Sequence, residues 1–466
     1  MRMSITPRIF PQRRILTVAL AGLVLASVFL PLSGGRNLAY GANLPTIAAP
    51  KPAPLTHPLS AVAMIGRDMF SDTALSASGR LSCASCHNPR NHYGPDGTAP
   101  VVPGGAHLDR VGRRAVPTLS YKFLTPAFTI GPQDPSLEQN EASPQLVAAQ
   151  GQNADASAPA SLGHLPSAPK KLAGQTTLGA PVPRGGLFWD GRADTLEDQA
   201  EGPFFTSFEM ANTRPALAQV LRTRYGARLA ALFGANVLSD EPMLISEAAF
   251  ALARYQIEDP SFHAFSSKFD AYLSGHARLS PAEARGLALF NDPTKGNCAA
   301  CHLDTTAKDG TPPLFTDFEY EALGVPRNSK IPANADPNWH DLGLCGPMRH
   351  DATSRQTSYC GLFKTPTLRN VATRHVFFHN GVYTSLQDVL DFYARRDSDP
   401  QAIYPVKSGK VQIFNDLPRR YHGNIDVTDA PFGRKRGDAP ALSKTEQADI
   451  IAFLNTLTDG YHPHKN

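Results

Sequence analysis

The chain has 466 residues, 42% of them hydrophobic, with 45 Lys and Arg against 41 Asp and Glu. Five of the basic residues (Arg2, Arg8, Arg13, Arg14 and Arg36) precede residue 43 and no acid does, so the remainder is close to neutral. That balance gives no electrostatic basis for binding nucleic acid or an anionic membrane surface. The length allows two or three domains, and 41 prolines with 36 glycines predict long loops.

At the start of the chain, Arg8, Arg13 and Arg14 lead into an apolar run from Ile15 to about Pro31, then the small-residue stretch Ala39-Tyr40-Gly41-Ala42. A charged start, a short apolar run and small residues in that order predict a secretory signal peptide over 1–42 and a periplasmic protein. An uncleaved anchor is the alternative, because the run is near the lower length limit for a membrane span. A membrane contact is expected only through that segment, if it is uncleaved.

Next comes a weak internal repeat. Gly66-Arg67-Asp68-Met69-Phe70-Ser71-Asp72 ends a helical pattern and precedes Cys83-Ala84-Ser85-Cys86-His87. Gly286-Leu287-Ala288-Leu289-Phe290-Asn291-Asp292 does the same before Cys298-Ala299-Ala300-Cys301-His302. Cys-x-x-Cys-His is the attachment signature of a c-type haem. The cysteines form two thioether bonds, and the histidine supplies an axial iron ligand. Its recurrence behind the same helix ending makes a zinc half-site or a redox dithiol a poor explanation. The expectation is two covalently bound haem c groups, on Cys83 and Cys86 and on Cys298 and Cys301, with His87 and His302 on the irons. The fold class that follows is mainly α: two cytochrome c-like haem domains packed together, with long loops. The N-terminal domain would span 43–265 and the C-terminal domain 266–466.

Between the motifs, residues 125 to about 182 are rich in Ala, Pro, Ser, Gly and Gln, without an apolar period. They predict a surface insertion, partly disordered. Residues 244–258 and 385–396 read as amphipathic helices, the second opened by Ser385 with Asp388. Ser280 with Pro281 and Glu283 opens a helix before the second motif. Ser443 with Glu446 opens a closing helix whose apolar positions are Ile450, Ile451, Phe453, Leu454 and Leu457. Strand signals are few and short. Cys345 and Cys360 are left over from the haem motifs, and in an exported protein they predict a disulfide. The run Arg434-Lys435-Arg436 reads as a solvated surface feature.

Three longer stretches carry a family resemblance. The run Phe188-Trp189-Asp190-Gly191-Arg192 continues to Pro203 and is followed by Phe208-Glu209-Met210. The second is Phe363-Lys364-Thr365-Pro366-Thr367-Leu368-Arg369-Asn370, and the third is Phe378-His379-Asn380-Gly381. Together they resemble the bacterial dihaem cytochrome c peroxidase and MauG superfamily, over about 58–458 apart from the insertion. The resemblance implies an enzyme that reduces hydrogen peroxide at the first haem. Electrons would be relayed through the second, from a c-type cytochrome or other small redox protein, or from residues of a partner protein that is oxidatively modified. A non-catalytic dihaem electron-transfer cytochrome is the alternative, and it would have no use for a peroxide-cleaving pocket.

The resemblance also implies roles for individual residues. Trp189 matches a tryptophan between the haems that assists electron exchange. Gln199 and Glu209 match residues of the peroxidatic pocket, where a carboxylate of raised pKa can move a proton between peroxide oxygens. Pro203 matches a residue that restricts access. His107 matches a histidine that ligates the first iron in many of the peroxidases. The MauG type does without that ligand, so a loop histidine is an equal reading.

On the second haem the peroxidases place a methionine fourteen residues after the histidine of Phe-His-x-Gly. Here that residue is Tyr393, as in the MauG type. Thioether sulfur favours reduced iron, whereas phenolate, a hard anion, favours oxidised iron. Tyr393 also shares an apolar helix face with Leu386, Val389 and Leu390, so a core role is compatible. A calcium ion between the haems is usual in the family, but the matching positions are Ala115, Arg374 and Val376. An asparagine ligand is missing there and an arginine appears, so calcium is doubtful and the guanidinium is expected in its place.

Overall fold

The computed structural model describes residues 58–132 and 181–462. The signal peptide expected over 1–42 and the interior of the insertion, 133–180, lie outside the described residues. The fold is mainly helical with a few two-residue to four-residue strands. None of the described helices is long and apolar enough to cross a membrane.

In chain order, α1 (Ala61–Phe70) leads to α2 (Cys83–Cys86), which carries the first cysteine pair. A ribbon of β1 (Pro103–Gly104) and β2 (Arg110–Val111) follows, then one of β3 (Thr129–Pro132) and β4 (Pro181–Arg184), both antiparallel. Helices α3 (Leu196–Phe205), α4 (Arg214–Phe233) and α5 (Glu241–Glu258) complete the first half. The second half has α6 (Lys268–Leu273) and α7 (Pro281–Asn291), then the ribbon of β5 (Tyr320–Glu321) with β6 (Phe363–Lys364). It continues with α8 (Leu386–Arg395), the ribbon of β7 (Val406–Lys407) with β8 (Lys410–Val411), and α9 (Lys444–Asn455). The edges of the predicted insertion are therefore ordered: Thr129 pairs with Arg184 and Ile130 with Pro183.

The internal repeat has a packing explanation. Helix α1 crosses α5 at Gly66, where a Cβ would stand 1.9 Å from the Ala251 carbonyl oxygen. Helix α7 crosses α9 at Gly286, where a Cβ would stand 2.0 Å from the Asp449 carbonyl oxygen. A glycine inside a helix costs about 0.5–1 kcal/mol relative to alanine, and here it lets two backbones touch. The repeat phenylalanines, Phe70 and Phe290, are buried in separate hydrophobic clusters, one built from residues between 65 and 262, the other between 269 and 457. The repeat aspartates end their helices by accepting from backbone amides two residues on: Asp72 from Ala74 at 3.0 Å and Asp292 from Thr294 at 2.8 Å.

The capping signals read from the sequence are in place. Ser280 and Glu283 form a reciprocal capping box on α7, and Ser443 and Glu446 form one on α9. Ser385 accepts from the Asp388 amide at the start of α8. Cys345 and Cys360 form a disulfide. Lys435 and Arg436 are exposed, as expected of a solvated run.

A buried ionic cluster joins the two halves. Asp190 is fully buried and accepts from Arg114 and Arg192, each at 2.8 Å. Arg114 also grips Asp341 with two hydrogen bonds of 2.6 and 2.7 Å. Arg349 donates to the Asp190 carbonyl at 2.8 Å. Burial would raise the Asp190 pKa, but the two guanidinium groups hold it below the usual aspartate range. Removing one partner of a buried pair leaves the others uncompensated, at a cost of about 3–5 kcal/mol. Asp190→Ala is therefore expected to lose about that much in denaturant unfolding near pH 7. Asp68→Ala, which breaks an exposed pair with Arg228, is expected to lose less than about 1 kcal/mol. Because the folded pKa is depressed, the Asp190 contribution is complete above the ordinary aspartate value of about 4 and is lost as pH falls below it.

Candidate functional site: two haem cavities sharing a wall

Each Cys-x-x-Cys-His motif opens on its own cavity, of about 190 Å³ for the first and about 240 Å³ for the second. Cys83, Cys86 and His87 line the first, and Cys298, Cys301 and His302 line the second. None of the four cysteines is in a disulfide. Burial pushes Cys83 and Cys298 up to about 12 and Cys86 to about 11. That is the reverse of a reactive dithiol, which needs a lowered pKa. Among the described residues no three His, Cys, Asp or Glu side chains gather as a metal site.

The histidines share one arrangement. Each Nδ1 faces a backbone carbonyl, His87 to Tyr93 at 3.3 Å and His302 to Phe315 at 2.9 Å. A carbonyl only accepts, so Nδ1 carries the proton and Nε2 keeps its lone pair. Burial lowers both imidazoles to about 4, so both are neutral at pH 7. Thiol pair, neutral imidazole and cavity together fit a covalently held haem at each site.

Gln199 and Pro203, one helical turn apart on α3, both line the first cavity, and so does Glu209. Glu209 follows α3 in a turn closed by its own amide, which donates to the Thr206 carbonyl at 2.9 Å. The β1–β2 hairpin is packed onto that turn. A Cβ at Gly104 would stand 2.2 Å from the Phe208 carbonyl oxygen, and the Gly105 amide donates to the Glu209 carbonyl at 2.8 Å. Burial raises the Glu209 pKa, against the opposing pull of Arg192 and a Thr206 hydrogen bond.

His107 stands elsewhere. It is exposed at the turn of the β1–β2 hairpin and does not line the first cavity, whereas Pro103 and Gly112, on either side of it in the chain, do. Met210 and Met348 also line this cavity. No local signal in the sequence points to the position of Met348.

Trp189 lines both cavities. It sits in a tight loop closed by the Leu187–Ala193 bridge. Gly186 (φ +69°) and Gly191 (φ +63°) shape that loop, and a Cβ at Gly186 would stand 2.4 Å from the Gly191 carbonyl oxygen. The indole Nε1–H donates to the Ala115 carbonyl at 2.8 Å, and the Ala115 amide donates to the His379 carbonyl at 2.7 Å. The Lys364 amide donates to the Trp189 carbonyl at 3.0 Å.

Tyr393 lines the second cavity with Leu386, Val389 and Leu390, the face predicted for α8, and none of the described residues lining it is a methionine. The Tyr393 ring stacks on Phe432 at 5.4 Å. Its phenol is pushed well above the usual range, first by burial and then by the nearby cysteines. Tyr393 is thus at once a packed residue of the α8 face and part of the second cavity wall. Lys122 and Lys364 line both cavities, and Arg374 lines the second. The two lysines were not singled out in the sequence.

Known proteins place this arrangement. The profile of the family described as di-haem cytochrome c peroxidase matches residues 60–278. The chain is 31% identical over 414 residues to the methylamine utilization protein MauG of Paracoccus denitrificans, covering 86% of this chain and 89% of that protein. It is 27% identical over 453 residues to the cytochrome c551 peroxidase of Nitrosomonas europaea, covering 96% and 92%. Among solved structures, the diheme peroxidase BthA from Burkholderia thailandensis superposes with a TM-score of 0.69 at 36% identity, over 86% of this chain and 87% of that one. The chain belongs to the dihaem cytochrome c peroxidase and MauG family, a family of peroxidase-like enzymes with two c-type haems.

Proposed function

We propose that the protein is a periplasmic enzyme that reduces hydrogen peroxide in the first cavity and shares the resulting oxidising equivalents with the second, as in the MauG type. The division into two haem domains near residue 265 belongs to this reading. Cys83, Cys86 and His87 would hold one haem, and Cys298, Cys301, His302 and Tyr393 the other. When bound, each haem supplies a redox-active iron.

Reducing one peroxide to two waters takes up two electrons and two protons. A Glu209 carboxylate oxygen accepts the proton of the inner peroxide oxygen and returns it to the departing one. Its raised pKa brings it nearer the peroxide proton in acidity than an exposed glutamate would be. Gln199 offers an amide N–H and a carbonyl to orient peroxide, and Pro203 narrows the approach. Trp189, in contact with both cavities, is the side chain through which an electron passes between them.

The observation that carries the choice within the family is Tyr393 where a methionine would suit a cytochrome-driven peroxidase. Phenolate favours oxidised iron, so the second site stores oxidising equivalents. Their destination is then a partner protein whose residues are oxidised. A purely electron-carrying cytochrome is disfavoured by Glu209 and Gln199 in the first cavity.

Two measurements check this reading. One equivalent of peroxide added to the oxidised protein should give a persistent spectral change that takes two electrons to reverse. Tyr393→Met should lose the persistence. Rapid turnover of reduced cytochrome c by the native protein would instead mark a conventional peroxidase. Separately, Glu209→Gln should slow the reaction with peroxide by about 10²–10⁴-fold. In the native protein the rate should rise with pH through the Glu209 titration, centred above the ordinary glutamate value of about 4.3. That limb should be absent from the glutamine variant.

A further inference from the structure

The wall shared by the two cavities carries unbalanced charge. Lys364 is buried, and Lys122 and Arg374 are half-buried against that wall. The Lys364 ammonium donates to the Gly186 carbonyl. Arg374 Nη2 donates to the Val116 carbonyl at 3.0 Å and to the Val376 carbonyl at 3.4 Å. The Lys122 ammonium has no hydrogen-bond acceptor among the described residues, and none of the three cations has a carboxylate partner there. The acid that acts on Lys364, Asp190, is already held by Arg114 and Arg192.

The three cations also oppose one another. Burial lowers Lys122 to about 8, with repulsion from Arg374 added, and lowers Arg374 to about 10. Lys364 is likewise lowered, first by burial and then by Lys122. Both Arg374 and Lys122 act electrostatically on His87, so the group reaches the first cavity as well as the second. Cations in such a wall call for anions supplied from within the cavities. A haem supplies them, since each carries two propionate carboxylates.

The residues present do not fit a calcium ion. Ala115 replaces the asparagine ligand, and its carbonyl is taken by the Trp189 indole. The Val376 carbonyl, where the metal would bind, receives the Arg374 guanidinium. Building on the dihaem reading, we infer that Lys122, Lys364 and Arg374 form a fixed cationic junction that pairs with the propionates of both haems and stands in the place of the family's calcium.

The test uses the holoprotein, with its haem count measured first. A count other than two overturns the dihaem reading itself. With two haems present, metal analysis after dialysis should find calcium far below one per chain, and a calcium chelator should leave both haem spectra unchanged. One calcium per chain, or a chelator-sensitive spectrum, overturns the junction alone. Removing a nearby positive charge disfavours the reduced form. Lys122→Met should therefore shift both haem potentials to more negative values. Arg374→Gln should shift both potentials in the same direction, and Arg374→Lys should restore them. Unchanged potentials in Lys122→Met overturn the junction. If these variants fail to fold, the metal and chelator results on the unaltered protein decide.

Discussion

The burial of the Asp190 carboxylate between Arg114 and Arg192 is the constraint on which the site depends. A fully buried charge persists only when its partners are fixed, and here Arg192 lies two residues on while Arg114 comes from a distant part of the chain. Arg114 reaches on to Asp341, and Arg349 closes over the Asp190 carbonyl. The residue before Asp190 is Trp189, so the ion cluster sets the indole where it meets both cavities. The same segment receives the Lys364 amide and points its indole N–H at Ala115. One electrostatic knot therefore determines the wall between the haem sites.

On either side of that wall, two halves that begin alike diverge. Gly66 and Gly286 make equivalent helix crossings, and His87 and His302 are oriented by equivalent carbonyl bonds. The difference lies in what lines each cavity. The first cavity gathers Gln199, Pro203 and a half-buried Glu209 of raised pKa, groups that handle protons. The second gathers an apolar helix face and the Tyr393 phenol, which burial pushes well above its usual range.

The sequence made the haem sites legible because covalent attachment demands residues adjacent in the chain. Helix starts were legible at Ser280, Ser385 and Ser443 for the same reason, since a cap acts over three residues. The glycines of the repeat were visible as a pattern, but their cause, the backbones of Ala251 and Asp449, was not. The 20-residue α4 went unread. Its buried face is Leu217, Ala218, Leu221, Tyr225, Gly226 and Leu229, and the alanine and glycine weaken the apolar stripe. The β3–β4 ladder was hidden because prolines occupy both strands. His107 and Met348 show the other limit. Their places follow from how a hairpin and a disulfide loop pack, which no local spacing records. The gathering of Lys122, Lys364 and Arg374 is likewise a product of tertiary structure, with Arg374 alone foreshadowed by its position.

The central claim is that the two cavities act as one oxidising unit through Trp189. Stopped-flow spectra after one equivalent of peroxide, compared between the native protein and Trp189→Phe, test it directly. The account predicts that the absorption of both haems changes in one phase in the native protein, and that in the variant the second haem lags well behind the first. Both haems changing together in the variant, at the native rate, would contradict it.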